Sequence, residues 1–129
     1  MVEVTNDDSF PRLLVVDDNP QLLHTLALGF RAQDFKVVTA SHGADALVQF
    51  HAHHGEFMAV LTDNEMPGMC GSVLITHLRA LDYQGQILVM SGNWTPAYHR
   101  EYQDLGVTGF LQKPFEISMV ATMLMQASR

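Results

Sequence analysis

Residues 57–68 read FMAVLTDNEMPG, an apolar run that ends abruptly in acidic residues and a Pro-Gly turn. A short apolar run that is closed by turn signals in this way is typical of a buried strand in a parallel sheet. Asp63 is therefore predicted at the carboxyl end of a central strand, where open α/β sheets bind their ligands. The stretch indicates both the kind of sheet and the place of its functional site.

A second apolar run, residues 13–16, ends in the acidic pair Asp17 and Asp18. Three carboxylates at the ends of two buried strands repel one another unless protons or a hard cation neutralise them. Helix capping would account for one acid of the pair but not for Asp63 on another strand. An all-oxygen set of ligands indicates Mg²⁺ or a similar hard ion rather than zinc.

Strand-like and helix-like segments alternate five times along the chain, which predicts an α/β fold with a parallel sheet and helices on both of its faces. Asn19 and Pro20 have the side chains expected at the start of the first helix, and Gly55 is expected to end the second. The predicted strands are residues 12–16, 35–39, 57–63, 87–91 and 106–111, and the predicted helices are residues 20–30, 41–54, 72–81, 95–105 and 115–126.

The composition describes one globular domain, because 47% of the 129 residues are hydrophobic and only 16% are charged. We expect a flexible leader over residues 1–11 and a single domain over residues 12–129. The formal net charge of −7 argues against direct binding of nucleic acid. Cys70 is the only cysteine, so no internal disulfide is expected. With no signal peptide or membrane span in the sequence, we expect a cytoplasmic protein.

Two further strand ends carry chemistry that matches the acids. The fourth predicted strand stops at the hydroxyl of Ser91, and the fifth stops just before Lys113. Taken singly, a solvated serine or a surface lysine is the commoner explanation. Together, a carboxylate nucleophile, a metal, an ammonium group and a hydroxyl at one sheet edge suit the binding and transfer of a phosphoryl group.

These residues, in this order and spacing, resemble the receiver domain of two-component response regulators, and most closely the chemotaxis regulators, over residues 12–129. The resemblance implies a flavodoxin-like three-layer sandwich with strand order 2-1-3-4-5 and five helices. The matching segments are LVVDD (14–18), LTD (61–63), MPGM (66–69) with Gly71, VMSG (89–92) and GVTGFLQKPF (106–115).

The resemblance also assigns roles in a phosphorelay. It implies that Asp63 accepts a phosphoryl group from the phosphohistidine of a histidine kinase or phosphotransfer protein. Asp18, Asp63 and the backbone carbonyl of Glu65 would ligate Mg²⁺, with Asp17 acting through a metal-bound water. Lys113 would pair with the phosphoryl group, and the protein would be phosphorylated on itself rather than act as an enzyme on another substrate.

The signal would leave the site through a switch pair, Ser91 and Phe110, in which the hydroxyl moves toward the phosphoryl group and the ring turns inward. A downstream protein or domain would dock on the face formed by the fourth helix, the fifth strand and the last helix, and a homodimer is a further option. We expect this face to present apolar contacts from Tyr98, Tyr102, Met119 and Met123, and a core role is the open alternative for the two methionines. Gly92 stands where the family more often has alanine, and Glu65 and Asn93 occupy positions that tune how long the phosphoryl group lasts.

Several alternatives and lesser features complete the sequence-based picture. A flavin domain of the same fold would need a phosphate loop where this chain has Asp17, and an aspartate-nucleophile phosphatase would space its two acids differently. A receiver fragment of a hybrid sensor kinase, or a binding module that needs no phosphorylation, stays open as a context. We interpret the histidines at 51, 53 and 54 as a solvated helix end, Cys70 as a small loop residue and Trp94 as a partly exposed neighbour of the site.

Overall fold

The computed structural model describes residues 9–127, and residues 1–8 of the predicted leader lie outside them. Five parallel strands form one sheet in the order β2-β1-β3-β4-β5, as predicted. The strands are β1 (Arg12–Val16), β2 (Lys36–Ala40), β3 (Ala59–Asp63), β4 (Gln86–Ser91) and β5 (Gly109–Gln112). The helices are α1 (Pro20–Ala32), α2 (Gly43–Ala52), α3 (Gly71–Ala80), α4 (Pro96–Asp104) and α5 (Ile117–Ala127).

The sheet separates two apolar layers, because successive side chains of a strand point to opposite faces. One layer joins α1 and α5 to residues such as Val15 and Leu61, and the other joins α2, α3 and α4 to Val16 and Val60. All five residues of β3 are buried, which agrees with its place at the centre of the sheet. This is the flavodoxin-like architecture expected from the sequence.

Local sequence signals place the ends of the helices. The side chain of Asn19 accepts hydrogen bonds from the backbone N–H groups of Gln21 and Leu22, so it caps α1 as predicted. α2 ends at Ala52, two residues earlier than predicted, and its C-terminal cap is His53. Gly55, the residue predicted to end the helix, lies in the turn that follows and has a φ of 69°, a conformation that costs glycine little. The fifth strand is shorter than predicted, since residues 106–108 form the turn before it and Gly106 has a φ of 71°.

Four apolar side chains in the helices or at a helix end are exposed, and scattered apolar residues on a protein surface need no partner. These residues are Leu28, Val48, Val73 and Leu81. Within residues 9–127, the structure contains no helix that is both long and apolar enough to cross a membrane.

Candidate phosphorylation site

The register of the sheet brings the predicted site residues to one edge. Val16 of β1 lies beside Thr62 of β3, so Asp17 and Asp63 follow at the same level. Asp63 in turn lies beside Met90, the residue before Ser91. Parallel strands end on the same side of a sheet, so the neighbouring strands β1, β3 and β4 bring these groups together at one edge.

Asp17, Asp18 and Asp63 form a compact carboxylate cluster in which one oxygen from each residue lies within 4.8 Å of the others. Asp17 and Asp63 are buried, at 1% and 8% exposure, whereas Asp18 is exposed and leaves the cluster open to solvent. Among residues 9–127 this is the only group of three or more potential metal-ligating side chains. The donors are all carboxylate oxygens, which is the set that a hard divalent cation prefers.

The ammonium group of Lys113 closes the cluster. Its Nζ lies 2.7 Å from an Asp17 oxygen and 3.0 Å from an Asp63 oxygen, so one positive charge bridges two buried carboxylates. The second oxygen of Asp17 accepts a hydrogen bond of 2.9 Å from the backbone N–H of Asn19. Both oxygens of Asp17 are thus engaged in hydrogen bonds.

Burial raises the pKa of Asp63 from 3.8 to about 6, although the hydrogen bond from Lys113 opposes that rise. The nearby charges of Asp17 and Asp18 raise this pKa further. For Lys113, burial lowers the pKa, but the hydrogen bonds to Asp17 and Asp63 outweigh burial and raise it. One ammonium group therefore does not balance the charge of three carboxylates, and the cluster favours the binding of a further cation.

Ser91 ends β4 beside the cluster and is buried. Its Oγ accepts a hydrogen bond of 3.1 Å from the backbone N–H of Asn93, and its carbonyl oxygen accepts one of 2.8 Å from the backbone N–H of Lys113. The hydroxyl hydrogen is thus free to donate elsewhere while the oxygen holds the loop. Gly92 and Asn93 are both exposed and leave this side of the site open.

Phe110 on β5 packs into a group of aromatic rings that the sequence indicated only in part. Its ring centroid lies 5.0 Å from that of Trp94 in an edge-to-face contact and 4.2 Å from that of His99. The indole N–H of Trp94 donates to the carbonyl oxygen of Leu111, which fastens the loop before α4 to β5. No feature of the sequence singled out His99, because its contact with Phe110 depends on how α4 lies on the sheet.

The two residues that follow Asp63 are held by tyrosines of α4, an arrangement that the sequence did not reveal. The hydroxyl of Tyr102 donates to Oδ1 of Asn64, and that of Tyr98 donates to Oε1 of Glu65 at 3.0 Å. Tyr102 is fully buried, so the expectation that it offers a surface contact is wrong. The ring of Tyr102 faces inward because the packing of α4 leaves space for it, and only the tertiary structure reveals that space.

The remaining sequence features are placed as follows. His51 and His54 are exposed around the end of α2, as a solvated helix end requires, whereas His53 is half-buried with its ring centroid 5.5 Å from that of Phe57. Cys70 is exposed directly before α3, and its Sγ lies 3.1 Å from the hydroxyl oxygen of Ser72. Met119 and Met123 are exposed on α5, so they are surface rather than core residues.

The comparison with known families decides what this site belongs to. The family described as the response regulator receiver domain matches residues 13–125. The chain belongs to this family. Receiver domains are phosphoacceptors rather than enzymes that act on a separate substrate, and membership implies a histidine kinase or phosphotransfer protein as partner.

Curated relatives of this receiver domain are mainly transcriptional regulators. The transcriptional regulatory protein PrrA of Mycobacterium tuberculosis is 33% identical over 108 residues, which are 84% of this chain and 46% of that protein. PrrA of Mycobacterium leprae is 34% identical over 110 residues, 85% of this chain and 46% of the relative. The chain thus spans about half the length of the curated relatives it matches.

Solved structures agree with the fold. The chemotaxis protein CheY4 of Vibrio cholerae superposes with a TM-score of 0.83 at 25% identity, over 92% of this chain and 98% of that one. The receiver domain of the hybrid histidine kinase CckA gives a TM-score of 0.75 at 26% identity, over 92% of this chain and 99% of that one. A chemotaxis protein and the receiver domain of a hybrid histidine kinase are therefore both similar in fold to this chain.

Proposed function

We propose that Asp63 is the residue of this receiver domain that is phosphorylated. A carboxylate oxygen of Asp63 attacks the phosphorus of a phosphohistidine on the partner, the P–N bond breaks, and an aspartyl phosphate forms on this chain while the histidine regains a proton. The observation that carries the proposal is the position of Asp63 beside the ammonium group of Lys113, at 3.0 Å, within the carboxylate cluster. Phosphoryl transfer depends mainly on positioning and on neutralising the phosphoryl oxygens, and this site provides both.

The carboxylate cluster fits Mg²⁺, because its three acids converge within 4.8 Å and only one fixed cation faces them. Asp18, Asp63 and the backbone carbonyl of Glu65 would hold the ion directly, and Asp17 would hold it through water. When bound, Mg²⁺ neutralises phosphoryl oxygens beside the attacking carboxylate. The ammonium group of Lys113 would contact the remaining phosphoryl charge after moving from its present carboxylate partners.

Ser91 and Phe110 are proposed to report phosphorylation. A phosphoryl group on Asp63 offers acceptor oxygens for the Ser91 hydroxyl, and movement of Ser91 would release the hydrogen bond that its oxygen accepts from Asn93. The loop before α4 would then rearrange around Trp94, and Phe110 would turn further inward to fill the vacated space. Glu65 and Asn93, both exposed at the mouth of the site, are proposed to influence how long the phosphoryl group persists.

The partner surface is proposed to be the face of α4, β5 and α5. A groove of about 440 Å³ lies on the β5 and α5 part of this face, and it is lined mostly by apolar side chains that include Phe110, Phe115, Met119 and Met123. Methionine adapts its shape to different partners, so this groove suits a downstream protein or domain, or a second copy of the chain. The net charge of −7 disfavours direct contact with nucleic acid. A cytoplasmic location is part of the same proposal.

Two contexts for the domain follow from its relatives. It acts as a regulator whose output is set by another protein or domain, as the names of the transcriptional regulators suggest for those proteins. A receiver within a hybrid histidine kinase would use the same site, but this context is not better supported than that of a regulator. A binding module that needs no phosphorylation is also not better supported, since every reactive position is filled.

Incubation with acetyl phosphate and Mg²⁺ tests the proposal directly. We expect the intact protein to gain the mass of one phosphoryl group, and we expect Asp63→Asn to gain none because an amide is a poor nucleophile. Excess chelator should prevent the gain in the wild type. Modification of Asp63→Asn to the wild-type extent would rule out Asp63, and undiminished modification in chelator would rule out the metal requirement.

A further inference from the structure

Two tyrosines of α4 bind the loop that follows Asp63, so the helix is joined to the site by side chains as well as by the chain that leads into it. Tyr98 and Tyr102 are four residues apart, a spacing that puts both rings on one face of the helix. Their hydroxyl groups donate to Glu65 and Asn64, the two residues that follow Asp63. Tyr102 is also the only buried residue of α4. The main attachment of this helix to the core is therefore a contact with the loop that follows the phosphoacceptor.

Asn64 is held from three directions. Its backbone N–H donates to the carbonyl oxygen of Met90 at 2.9 Å, its own carbonyl oxygen accepts from Gly71 at 2.9 Å, and its side chain accepts from Tyr102. The side-chain nitrogen of Asn64 is the only buried side-chain polar atom in residues 9–127 without a partner. A buried unpartnered amide is costly, and an apolar side chain would avoid that cost. Packing alone therefore does not account for an asparagine at this position.

Gly71 makes the close approach of these elements feasible. A β-carbon at position 71 would lie 2.6 Å from the carbonyl oxygen of Asp63 and 2.9 Å from the hydroxyl of Tyr102. The end of β3, the start of α3 and the tyrosine of α4 thus meet at a point where no side chain fits. The end of β3 and the hydroxyl of Tyr102 therefore approach each other closely across Gly71.

We propose that Tyr98 and Tyr102 are positioning residues that hold the loop after Asp63 and connect it directly to α4. They would fix the segment that carries the Glu65 carbonyl, the proposed metal ligand, and they would transmit its movement without Ser91 or Phe110. The inference rests on the proposed function, because it concerns the metal and the phosphoryl group at that same site. The edge-to-face contact of Tyr102 with Trp94, at 5.9 Å between ring centroids, is where this connection meets the one through Phe110.

Mg²⁺ titration, followed by the fluorescence of Trp94, tests the positioning role. For Tyr102→Phe we expect the midpoint to rise about three- to tenfold, because one hydrogen bond that fixes the loop is lost. For Tyr98→Phe, whose bond is exposed to solvent, we expect a rise of about two- to threefold. The matched control is Tyr83→Phe, since Tyr83 is buried and its hydroxyl donates to the carbonyl oxygen of Phe57 at 3.0 Å in a loop away from the site.

Tyr83→Phe should lower the melting temperature as Tyr102→Phe does and leave the Mg²⁺ midpoint unchanged. Equal midpoints in the wild type and both α4 variants would overturn the inference. A wild type that shows no Mg²⁺ response would instead overturn the metal site of the proposed function. If Tyr102→Phe does not fold, Tyr98→Phe decides the question, because Tyr98 is partly exposed and the loss of its hydroxyl leaves the core intact.

Amide chemical shifts with beryllofluoride, a mimic of the phosphoryl group, test the direct connection to α4. In Ser91→Ala we expect the shift changes of α4 to persist, since the tyrosines remain. In the triple variant Ser91→Ala, Tyr98→Phe, Tyr102→Phe we expect these changes to disappear while those around Asp63 stay. Loss of the α4 changes already in Ser91→Ala, or their survival in the triple variant, would each overturn the proposed connection.

Discussion

At the scale of single residues, the folded structure disfavours the ionised form of Asp63. Burial raises its pKa from 3.8 to about 6 even though Lys113 lies within hydrogen-bonding distance. In the folded protein this carboxyl group binds its proton more strongly than in the unfolded chain. Its contribution to stability is therefore fully present below pH 4 and is lost as the pH rises through about 6. The residue that reacts is one that the fold holds in an unfavourable state.

We predict that Asp63→Asn stabilises the metal-free protein at neutral pH. Below pH 4 the acid is protonated and resembles the amide, so the two proteins should melt at similar temperatures. Between pH 4 and 6 the variant should gain an advantage of several degrees, which then stays constant at higher pH. Calorimetric melting temperatures across this range measure the difference. An advantage that is the same at every pH would contradict the ionisation argument.

At the scale of elements, α4 differs from the other helices in how little it buries. It buries Tyr102 alone, whereas α1 and α3 each bury four residues. The hydroxyl of Thr95 accepts from the backbone N–H of Tyr98 and so defines the start of α4. A short helix with one buried anchor can move at lower cost than one that is packed along a full stripe. α4 is therefore the element best suited to respond to the site.

Two glycines near the site should respond oppositely to alanine. Gly71→Ala places a β-carbon 2.6 Å from the carbonyl oxygen of Asp63, so we expect it to destabilise the protein by about 1–3 kcal/mol and to slow phosphorylation. Gly92 has nothing within 4 Å of such a carbon and has no positive φ. Gly92→Ala should therefore stabilise the protein by about 0.4–1 kcal/mol through the unfolded state.

Denaturant unfolding and the rate of modification by acetyl phosphate measure both glycine variants. The pair serves as its own control, because each change adds one methyl group beside the same site. Equal effects of the two variants on stability would show that the close approach at Gly71 does not matter.

At the scale of the whole molecule, a series of side-chain and backbone contacts joins the site to the proposed partner face. Ser91 touches the loop before α4, Trp94 fastens that loop to β5, and Phe110 packs against Trp94. Phe110 also lines the groove beside Met119 and Met123. A change at Asp63 therefore has a set of packed contacts through which to reach the surface.

Beryllofluoride should shift the amide resonances of Phe110 and α5 in the wild type. In Ser91→Ala the changes at Phe110 and α5 should shrink strongly, because the hydroxyl that pulls the loop is gone while the nucleophile remains. Phosphorylation of Ser91→Ala by acetyl phosphate should still occur. Changes confined to the pocket in the wild type, or unchanged shifts at Phe110 in the variant, would contradict this route.

The sequence by itself determined the sheet, its strand order through the family resemblance, and the residues at the strand ends. Asp17, Asp63, Ser91 and Lys113 could be located because each is the last residue of a predicted strand or lies just beyond its end, and parallel strands end on the same side of a sheet. Hydrophobic periodicity and turn residues are local patterns, so they can be recognised from the amino-acid sequence without the tertiary structure.

Only the tertiary structure decided which side chains of the helices reach the site. Tyr102 lies four residues from Tyr98 in the sequence, and nothing local distinguishes a buried anchor from a surface ring at that spacing. Its contact with Asn64 spans 38 positions and depends on how α4 rests on β4, as the contact of His99 with Phe110 also does. Such contacts follow from the packing angle of a helix on a sheet, which is set by all the side chains between them at once.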